Sequence, residues 1–292
     1  MAALDSQALA AFVAVARHQS FSLAAEQLHI TQPAVSKRIA MLEQQLGHPL
    51  FDRIRKRVLL TEAGEALLPR AQKLLLDMQD AVQVINDLDD GVTGELGIAF
   101  SHHIGLHRLP PYLQQFSQQH PGTRLNVNFI DSETAYSLLR NGEIELAVIT
   151  LSPEHIAEMV TTPLWRDPLA FVCSPDHELH LANHVGLERL ARLDAILPDL
   201  NTFTGKLVHE LFRSESLALT TSMTTNYLET IKMMVSIGLG WSVLPKTMTA
   251  GLEEIHVPDH YIERQLGVVQ LRGRRLSNAA QAFRDLLEQG QD

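Results

Sequence analysis

The chain has 292 residues, a net charge of −10, 45% hydrophobic residues and 20% charged residues. These values are typical of a soluble globular protein, and the length allows two or three domains. The single cysteine, Cys173, excludes an intrachain disulfide and a cysteine metal cluster, which fits a reducing cytosol and predicts a cytoplasmic protein. Cys173 follows an apolar run and is expected to be buried rather than to act as a redox sensor.

The charge is divided unevenly along the chain. Residues 1–57 carry seven basic and four acidic residues, a net charge of +3, which leaves −13 for the remainder. A basic head on an acidic body predicts a protein that meets a polyanion through its N-terminal part. The acidic body would resist non-specific spreading along phosphate.

The stretch Phe21–Arg57 predicts two helices joined by a tight turn and followed by a basic hairpin. Ser22 is expected to cap the first helix, because its hydroxyl can accept a backbone N–H. The turn is predicted near His29. The second helix begins after Thr31, and Pro33 falls in its first turn, where a missing N–H is tolerated.

The second helix of this stretch has two different faces. Its inward face is predicted by apolar residues that recur at i, i+4, i+7 and i+11, namely Val35, Ile39, Leu42 and Leu46. The outward face is small, polar and cationic, which suits the major groove of DNA. Gln32 can offer a bidentate amide to adenine, whereas Lys37 and Arg38 can reach phosphate or guanine.

The segment that follows strengthens the DNA hypothesis, because two short helices with a polar face are common by themselves. Residues 49–60 predict a hairpin with a cationic tip between apolar strands, the shape of a wing. A charge run is usually a solvated surface, but beside such a helix it is better explained by phosphate or minor-groove contact. Arg55 and Arg57 are weaker candidates, since one can brace the wing. The predicted DNA-binding residues are Thr31, Gln32, Pro33, Ser36, Lys37, Arg38 and Arg53.

The run AAEQLHITQPAVSKRIAMLEQQLGHPLFDR, followed by LTEAGEALLP, resembles the winged helix-turn-helix of LysR-type transcriptional regulators. The later run GLGWSVLP also resembles this family. The resemblance implies a transcriptional regulator with a periplasmic-binding-protein-like effector domain, assembled as a tetramer from two dimers. An enzyme is disfavoured, because G-x-S-x-G, Walker A and H-E-x-x-H motifs are absent.

A long helix is predicted from Thr61 to about Leu88, with Pro69 as a kink or junction. Its apolar positions alternate spacings of four and three: Leu60, Gly64, Leu67, Ala71, Leu74, Met78, Ala81, Ile85 and Leu88. The alternatives are a surface helix that packs on its own domain and an intermolecular coiled coil. The narrow seam with polar flanks favours the coiled coil, and hence a homodimer on a dyad-symmetric promoter site. Residues 87–94 are expected to end the helix and form a hinge.

The acidic body predicts an α/β fold in which strands and helices alternate. Strands are expected at 95–100, 124–130 and 144–150, with helices at 104–119 and 133–141, in a mostly parallel sheet. Residues 165–264 repeat this alternation, and residues 266–289 return to the first unit. The predicted domains are a winged helix-turn-helix at 1–60, a linker helix at 61–91 and an effector domain at 92–292. Its subdomain I comprises 92–164 and 265–292, and its subdomain II comprises 165–264.

Several polar residues follow strands or begin helices in a way that can line a cleft between the two subdomains. In open α/β sheets, ligands bind beyond the carboxyl ends of strands. Hydroxyls, an amide and backbone N–H groups at helix N-termini bind anions without a fixed charge. The predicted effector is therefore a small organic acid or similar polar metabolite, and the alternative is that these residues are only helix caps. The predicted effector-binding residues are Ser101, His102, His103, Thr150, Thr202, Phe203 and Asn226.

The histidines of the first strand end leave three interpretations open. His103 and His107 are spaced i, i+4 and could share one helical face. The three interpretations are metal ligands, effector contacts and ordinary strand-end histidines. No cysteine or nearby acid completes a metal set, so neither a metal nor a cofactor is predicted.

Overall fold

A computed structural model describes residues 4–54, 57–86, 91–180, 182 and 184–290. The chain divides into two units, Met1–Asp89 and Asp90–Asp292. None of the helices in the described ranges has both the length and the apolarity that a membrane span requires.

The N-terminal unit consists of α1 (Ser6–His18), α2 (Phe21–Gln27), α3 (Gln32–Leu46), β1 (Phe51–Ile54), β2 (Arg57–Leu60) and α4 (Glu62–Asn86). The expected cap at Ser22 is wrong, because α2 already begins at Phe21 and the hydroxyl of Ser20 accepts from the N–H of Leu23 at 3.3 Å. Thr31 caps α3 as predicted and accepts from the N–H of Ala34 at 3.4 Å.

The inward face of α3 completes the core of this unit. Val35, Ile39 and Leu42 are buried together with Phe12 of α1, whereas Leu46 is half-buried at the edge of the same cluster. The predicted apolar face is therefore correct. Its burial leaves the opposite face of α3 to solvent.

Polar contacts hold the hairpin β1–β2 between α3 and α4. A carboxylate oxygen of Glu43, near the end of α3, accepts from the N–H of Leu50 at 2.8 Å. The hydroxyl of Thr61 donates to the carbonyl of Pro49 at 2.7 Å and accepts from the N–H of Gly64 at 3.1 Å. A Cβ on Gly64 would overlap the carbonyl oxygen of Leu50, so only glycine allows this close approach.

The helix α4 runs through Pro69 and changes its surroundings along its length. Ala71 is buried in the core of the N-terminal unit, and Leu76 is also buried. Farther along, large apolar side chains are exposed at Leu74, Met78, Val82 and Ile85. Leu88 of the predicted seam and the first residues of the predicted hinge, 87–90, lie outside the described residues.

The second unit begins with β3 (Gly94–Phe100), α5 (His102–His107), α6 (Pro110–Gln119), β4 (Thr123–Phe129), α7 (Ser132–Arg140) and β5 (Leu146–Thr150). The single helix expected over 104–119 is two helices. Pro110 lacks an N–H and its ring crowds the preceding turn, so the first helix ends before it and α6 begins on it.

The chain continues through β6 (Met159–Cys173), α8 (Leu187–Leu190), β7 (Ala195–Leu197), α9 (Phe203–Ser214), β8 (Thr221–Thr224), α10 (Leu228–Ser236), β9 (Ser242–Pro245), β10 (Glu253–Ile255), β11 (Ile262–Leu271) and α11 (Asn278–Gln289). Cys173 ends β6 and is fully buried, and this burial raises the pKa of its thiol to about 11. The thiol is therefore protonated at neutral pH.

Seven strands form one mixed sheet in the order β10-β6-β11-β5-β3-β4, with β9 also paired to β6. Only β3–β4 and β3–β5 are parallel among the described pairs of this sheet, so the expected mostly parallel sheet is wrong. The reason is that the two long strands β6 and β11 pair antiparallel with each other. In addition, β9 and β10 pair antiparallel with β6, and β5 pairs antiparallel with β11. β7 and β8 form a separate parallel pair.

The strands β6 and β11 pass from one hydrophobic core to another. In β6, Trp165 packs in the cluster of Phe100, whereas Leu169 packs in the cluster of Trp241. In β11, Leu266 belongs to the first cluster, and the preceding end of the strand belongs to the second. The cores therefore change near residues 165–169 and 262–266. The exact division into two subdomains stays a prediction.

The first turn of α9 is packed too tightly for any side chain at Gly205. A Cβ there would overlap the carbonyl oxygen of Asp199 and lie 2.8 Å from that of Pro198, whereas a Cβ on Gly97 would meet its nearest atom, the oxygen of Glu143, at 3.5 Å. We expect Gly205→Ala to lower the free energy of unfolding by about 1–3 kcal/mol, because overpacking outweighs the better helix propensity of alanine. Denaturant titration measures this loss.

The variant Gly97→Ala is the matched control, since it makes the same change in the same unit with ordinary van der Waals distances. Equal stability of the two variants would contradict the close approach at the start of α9.

Candidate functional site

The exposed face of α3 carries the polar residues that the sequence predicted to meet DNA. Lys37 is exposed. The amide nitrogen of Gln32 donates to the hydroxyl of Ser36 at 3.0 Å. This bond leaves the amide oxygen and a second N–H of Gln32 for a base edge, and it holds the side chain along the helix. Pro33 is also exposed and adds little bulk beside these groups.

Two other predicted DNA contacts are already engaged within the N-terminal unit. The guanidinium of Arg38 donates to the amide oxygen of Gln7 in α1 at 2.7 Å. The hydroxyl of Thr31 caps α3. Arg53 lies in β1, but its side chain is outside the described part of the structure, as is the whole of Arg55. Their roles in DNA contact stay predictions.

A cleft of about 450 Å³, counting the open space at its mouth, lies in the second unit. All seven residues predicted to bind an effector line it. The lining residues that the sequence did not predict include Asp131, Ser132, Glu133, Thr204 and Arg264.

The hydroxyl of Ser101 differs from the other hydroxyls of the cleft. Ser101 is 6% exposed and precedes α5, but it makes no side-chain cap to that helix. Among the described residues, its hydroxyl has no hydrogen-bond partner. Buried polar groups in folded proteins are almost always paired, so this oxygen indicates a ligand or a bound water.

Thr202 and Asn226 are held by the chain itself. Thr202 donates to the carbonyl of Asp199 at 2.7 Å and accepts from the N–H of Gly205 at 3.0 Å, so it caps α9. The amide of Asn226 donates to a carboxylate oxygen of Asp131 at 2.8 Å and accepts from the N–H of Asp199 at 3.1 Å. Thr202 therefore caps a helix, as the alternative interpretation expected, and its contact with an effector stays a prediction.

The N–H of Phe203, the first residue of α9, is bonded to another element of the cleft. It donates to a carboxylate oxygen of Glu133 in α7. Burial raises the pKa of Glu133, although hydrogen bonds from its own N–H and that of Phe203 act in the opposite direction. Thr150 is buried nearby, and its N–H donates to the hydroxyl of Ser132 at 3.1 Å.

A buried arginine joins both walls of the cleft. Arg264 of β11 donates to Asp167 of β6 at 2.7 Å and to the hydroxyl of Thr204 at 2.7 Å. Its third nitrogen lies 2.8 Å from Nε2 of His103. Arg108 is 3.9 Å from the same aspartate. These contacts link the two long strands to α5 on one side and to α9 on the other.

The three histidines of α5 have separate environments. Burial, followed by the charge of Arg264, holds the pKa of His103 well below its usual range, so the ring is neutral and accepts the arginine N–H at Nε2. His102 contacts the rings of Phe129 and Tyr227. His107 pairs with Glu229 at 3.0 Å. This acid is distant in the sequence, so the sequence did not indicate the pair. Within the described ranges, no group of three potential metal ligands is present.

Some of the missed residues followed the same rule that found Ser101. Asp131 and Glu133 lie between the carboxyl end of β4 and the first turn of α7, so the rule could have included them. Arg264 and Asp167 gave no such signal. They lie inside long strands, and only the pairing of β6 with β11 brings them together.

Two protein families match the chain. The family described as bacterial regulatory helix-turn-helix protein, lysR family, matches residues 6–65, and the LysR substrate binding domain matches residues 89–292. The HTH-type transcriptional regulator CfxR of Cupriavidus necator is 34% identical to this chain, and the alignment covers 98% of this chain and 91% of CfxR.

Solved structures are similar to the chain in fold. The full-length OxyR C199D from Pseudomonas aeruginosa has a TM-score of 0.69 and 25% identity, with 98% of each chain covered. The regulatory domain of CcmR from Synechocystis PCC6803, solved in complex with 2-PG, has a TM-score of 0.62 and 23% identity. That match covers 68% of this chain and 98% of the CcmR chain.

The lowered pKa of His103 predicts an acid-dependent loss of stability. The unfolded chain binds a proton at this histidine below about pH 6.5, whereas the folded chain does not, so stability falls as pH decreases below that value. We expect His103→Gln to reduce the loss between pH 7 and pH 5, by at most about 1.4 kcal/mol per pH unit. Urea titration at several pH values measures it.

His155→Gln is the control, because His155 is exposed in a loop of the same unit. The interpretation fails if the His103 and His155 variants lose stability with acid as steeply as the unsubstituted protein.

Proposed function

Because the chain belongs to the LysR family of transcriptional regulators, we propose that it binds a dyad-symmetric promoter site as a homodimer and further assembles into a homotetramer. We also propose that a small organic acid or similar polar metabolite controls it by binding in the cleft of the second unit. The members of this family are DNA-binding regulators rather than enzymes.

The arrangement of α3 supports direct reading of bases in the major groove. Gln32 and Ser36 lie one turn apart on an exposed face and are bonded to each other, so the amide is oriented before DNA arrives. Lys37 stands beside them without an acidic neighbour in α3 on that face, since Glu43 is turned towards the hairpin. Short polar groups and one flexible cation are what close approach to a groove requires.

The exposed row on α4 supports the proposed dimer. Leu74 is 43% exposed, Met78 52%, Val82 62% and Ile85 65%. Large apolar side chains at successive turns of one helix gain stability when a second helix covers them. A partner α4 at this row would hold two copies of α3 at a fixed separation.

The observation that carries the proposed effector site is the buried, unbonded hydroxyl of Ser101 in the cleft. It lies in the same cavity as the first residue of α9, where backbone N–H groups favour an anion. The CcmR regulatory domain, similar in fold, was solved with 2-PG. These facts support a polar effector with at least one oxyanion group.

The proposed response is a change in the arrangement of subdomains I (92–164 and 265–292) and II (165–264). The strands β6 and β11 cross from one core to the other, so bending there would alter the cleft without breaking either core. An effector that binds one arrangement more tightly shifts the population towards it. The altered spacing of DNA-binding units would then change how the promoter is bent.

For DNA binding, we expect Gln32→Ala to relax base preference at one position, with a loss of about 1–3 kcal/mol in discrimination. Lys37→Ala should weaken binding to all sequences and reduce the salt slope by about one. Fluorescence anisotropy with a cognate and a scrambled duplex over a salt series measures both effects.

Lys73→Ala is the matched charge control, because Lys73 is exposed on α4 and pairs with Asp77. We would reject α3 as the recognition helix if the Gln32 and Lys37 variants both kept the DNA affinity and the specificity of the unsubstituted protein.

For the effector, we expect a member of a panel of small mono- and dicarboxylates that includes 2-PG to bind the full-length protein in titration calorimetry. Ser101→Ala should weaken that binding about tenfold, since it removes a hydrogen bond to a charged group. Ser214→Ala, which removes an exposed hydroxyl at the other end of α9, should not. Equal affinity of the Ser101 and Ser214 variants would count against the site.

A further inference from the structure

Glu133 holds its carboxylate at the start of two helices. It is the second residue of α7, and its side chain reaches across the cleft to the N–H of Phe203, the first residue of α9. Hydrogen bonds from its own N–H and that of Phe203 both stabilise the charged form of Glu133. The carboxylate therefore lies where the positive ends of two helix dipoles meet.

The local cap of α9 does not account for this contact. Thr202 already caps α9 and accepts from the N–H of Gly205. Glu133 takes a different N–H of the same helix end, and it comes from a distant element rather than from the preceding residues. The contact joins two walls of a cleft at a position that suits an oxyanion.

A second observation points to a ligand at the same place. The hydroxyl of Ser101 lines this cavity, is buried, and lacks a partner among the residues that the structure describes. The other predicted polar groups, Thr202 and Asn226, use their side chains in bonds within the chain. Two donors are therefore placed for an anion: the unbonded Ser101 hydroxyl and, once Glu133 leaves, the Phe203 N–H.

We propose that the carboxylate of Glu133 occupies the position of an effector's oxyanion group, so that the effector must displace Glu133 from the start of α9. This inference rests on the proposed function in assigning the effector to this cleft. Glu133 is then an internal competitor that lowers apparent affinity and selects ligands whose carboxylate binds better than its own. Asp131, the residue before α7, accepts a hydrogen bond from the amide of Asn226.

The test asks whether an added carboxylate can replace the one that Glu133 supplies. Hydrogen–deuterium exchange is measured on the full-length protein with Glu133→Ala. We expect the amides at the start of α9 to exchange about tenfold faster or more, because the Phe203 N–H loses a charged acceptor. Acetate should restore protection, and acetamide, its neutral isostere, should not.

Two controls accompany this experiment. Glu215→Ala removes an exposed acid at the opposite end of α9 and should leave exchange at the start of the helix unchanged. Unchanged protection in α11 shows that the unit is folded. If the alanine variant does not fold, Glu133→Ser carries the same test, since its short side chain does not reach Phe203.

Exchange that does not rise in the variant would show that Glu133 does not hold the Phe203 N–H, and would overturn the inference. Exchange that rises but responds equally to acetate and acetamide would overturn it too, because the vacated position would then not be an anion site. If acetate restores protection but no member of the carboxylate panel binds, the proposed effector is rejected and this inference is not. An effector that binds the Glu133→Ala and unsubstituted proteins equally would reject this inference alone.

Discussion

The second unit depends on the contact between Arg264 and Asp167. The two residues lie on β11 and β6, the strands that pass between the cores, and both are buried. A buried ion pair stabilises a fold only when its remaining hydrogen-bonding groups are satisfied. Arg264 meets this condition by donating to Thr204 and to His103, which are on opposite walls of the cleft. The neutral state of His103 follows, since burial disfavours its charged form and a second positive charge beside the guanidinium would also be unfavourable.

This network also limits how the cleft can change. If α9 moved away from α5, Arg264 could keep Thr204 or His103 but not both, and a buried donor would lose its acceptor. Intermediate openings are therefore costly, and a few discrete arrangements are favoured over continuous bending. An effector that supplied new acceptors or donors at the start of α9 would offset the lost contact. The proposed switching would thus break and replace hydrogen bonds of the same network that satisfies the buried pair.

The sequence predicted those features that depend on neighbouring residues. Periodicity found the inward face of α3, and the rule about strand ends found Ser101 and Phe203, because both signals are local. Pairing between distant strands left no such signal, so the pairing of β6 with β11 and the contact of Arg264 were missed. Residue type alone also could not separate Thr202, whose hydroxyl caps a helix, from Ser101, whose hydroxyl does not. That difference depends on the backbone geometry at the start of each helix, which the residue type does not determine.

The contacts of the N-terminal unit explain why the proposed regulator should need two DNA-binding heads. Arg38 is held by Gln7 of α1, so Lys37 is the exposed cation on the described face of α3. Affinity for DNA rises with the number of phosphates neutralised, and the recognition helix of a single head contributes few cations to that number. Two linked heads bind far more tightly than one when their separation matches the site. The exposed apolar row from Leu74 to Ile85 supplies a surface for that link, so the modest charge of α3 and the apolar row of α4 favour the same dimeric arrangement.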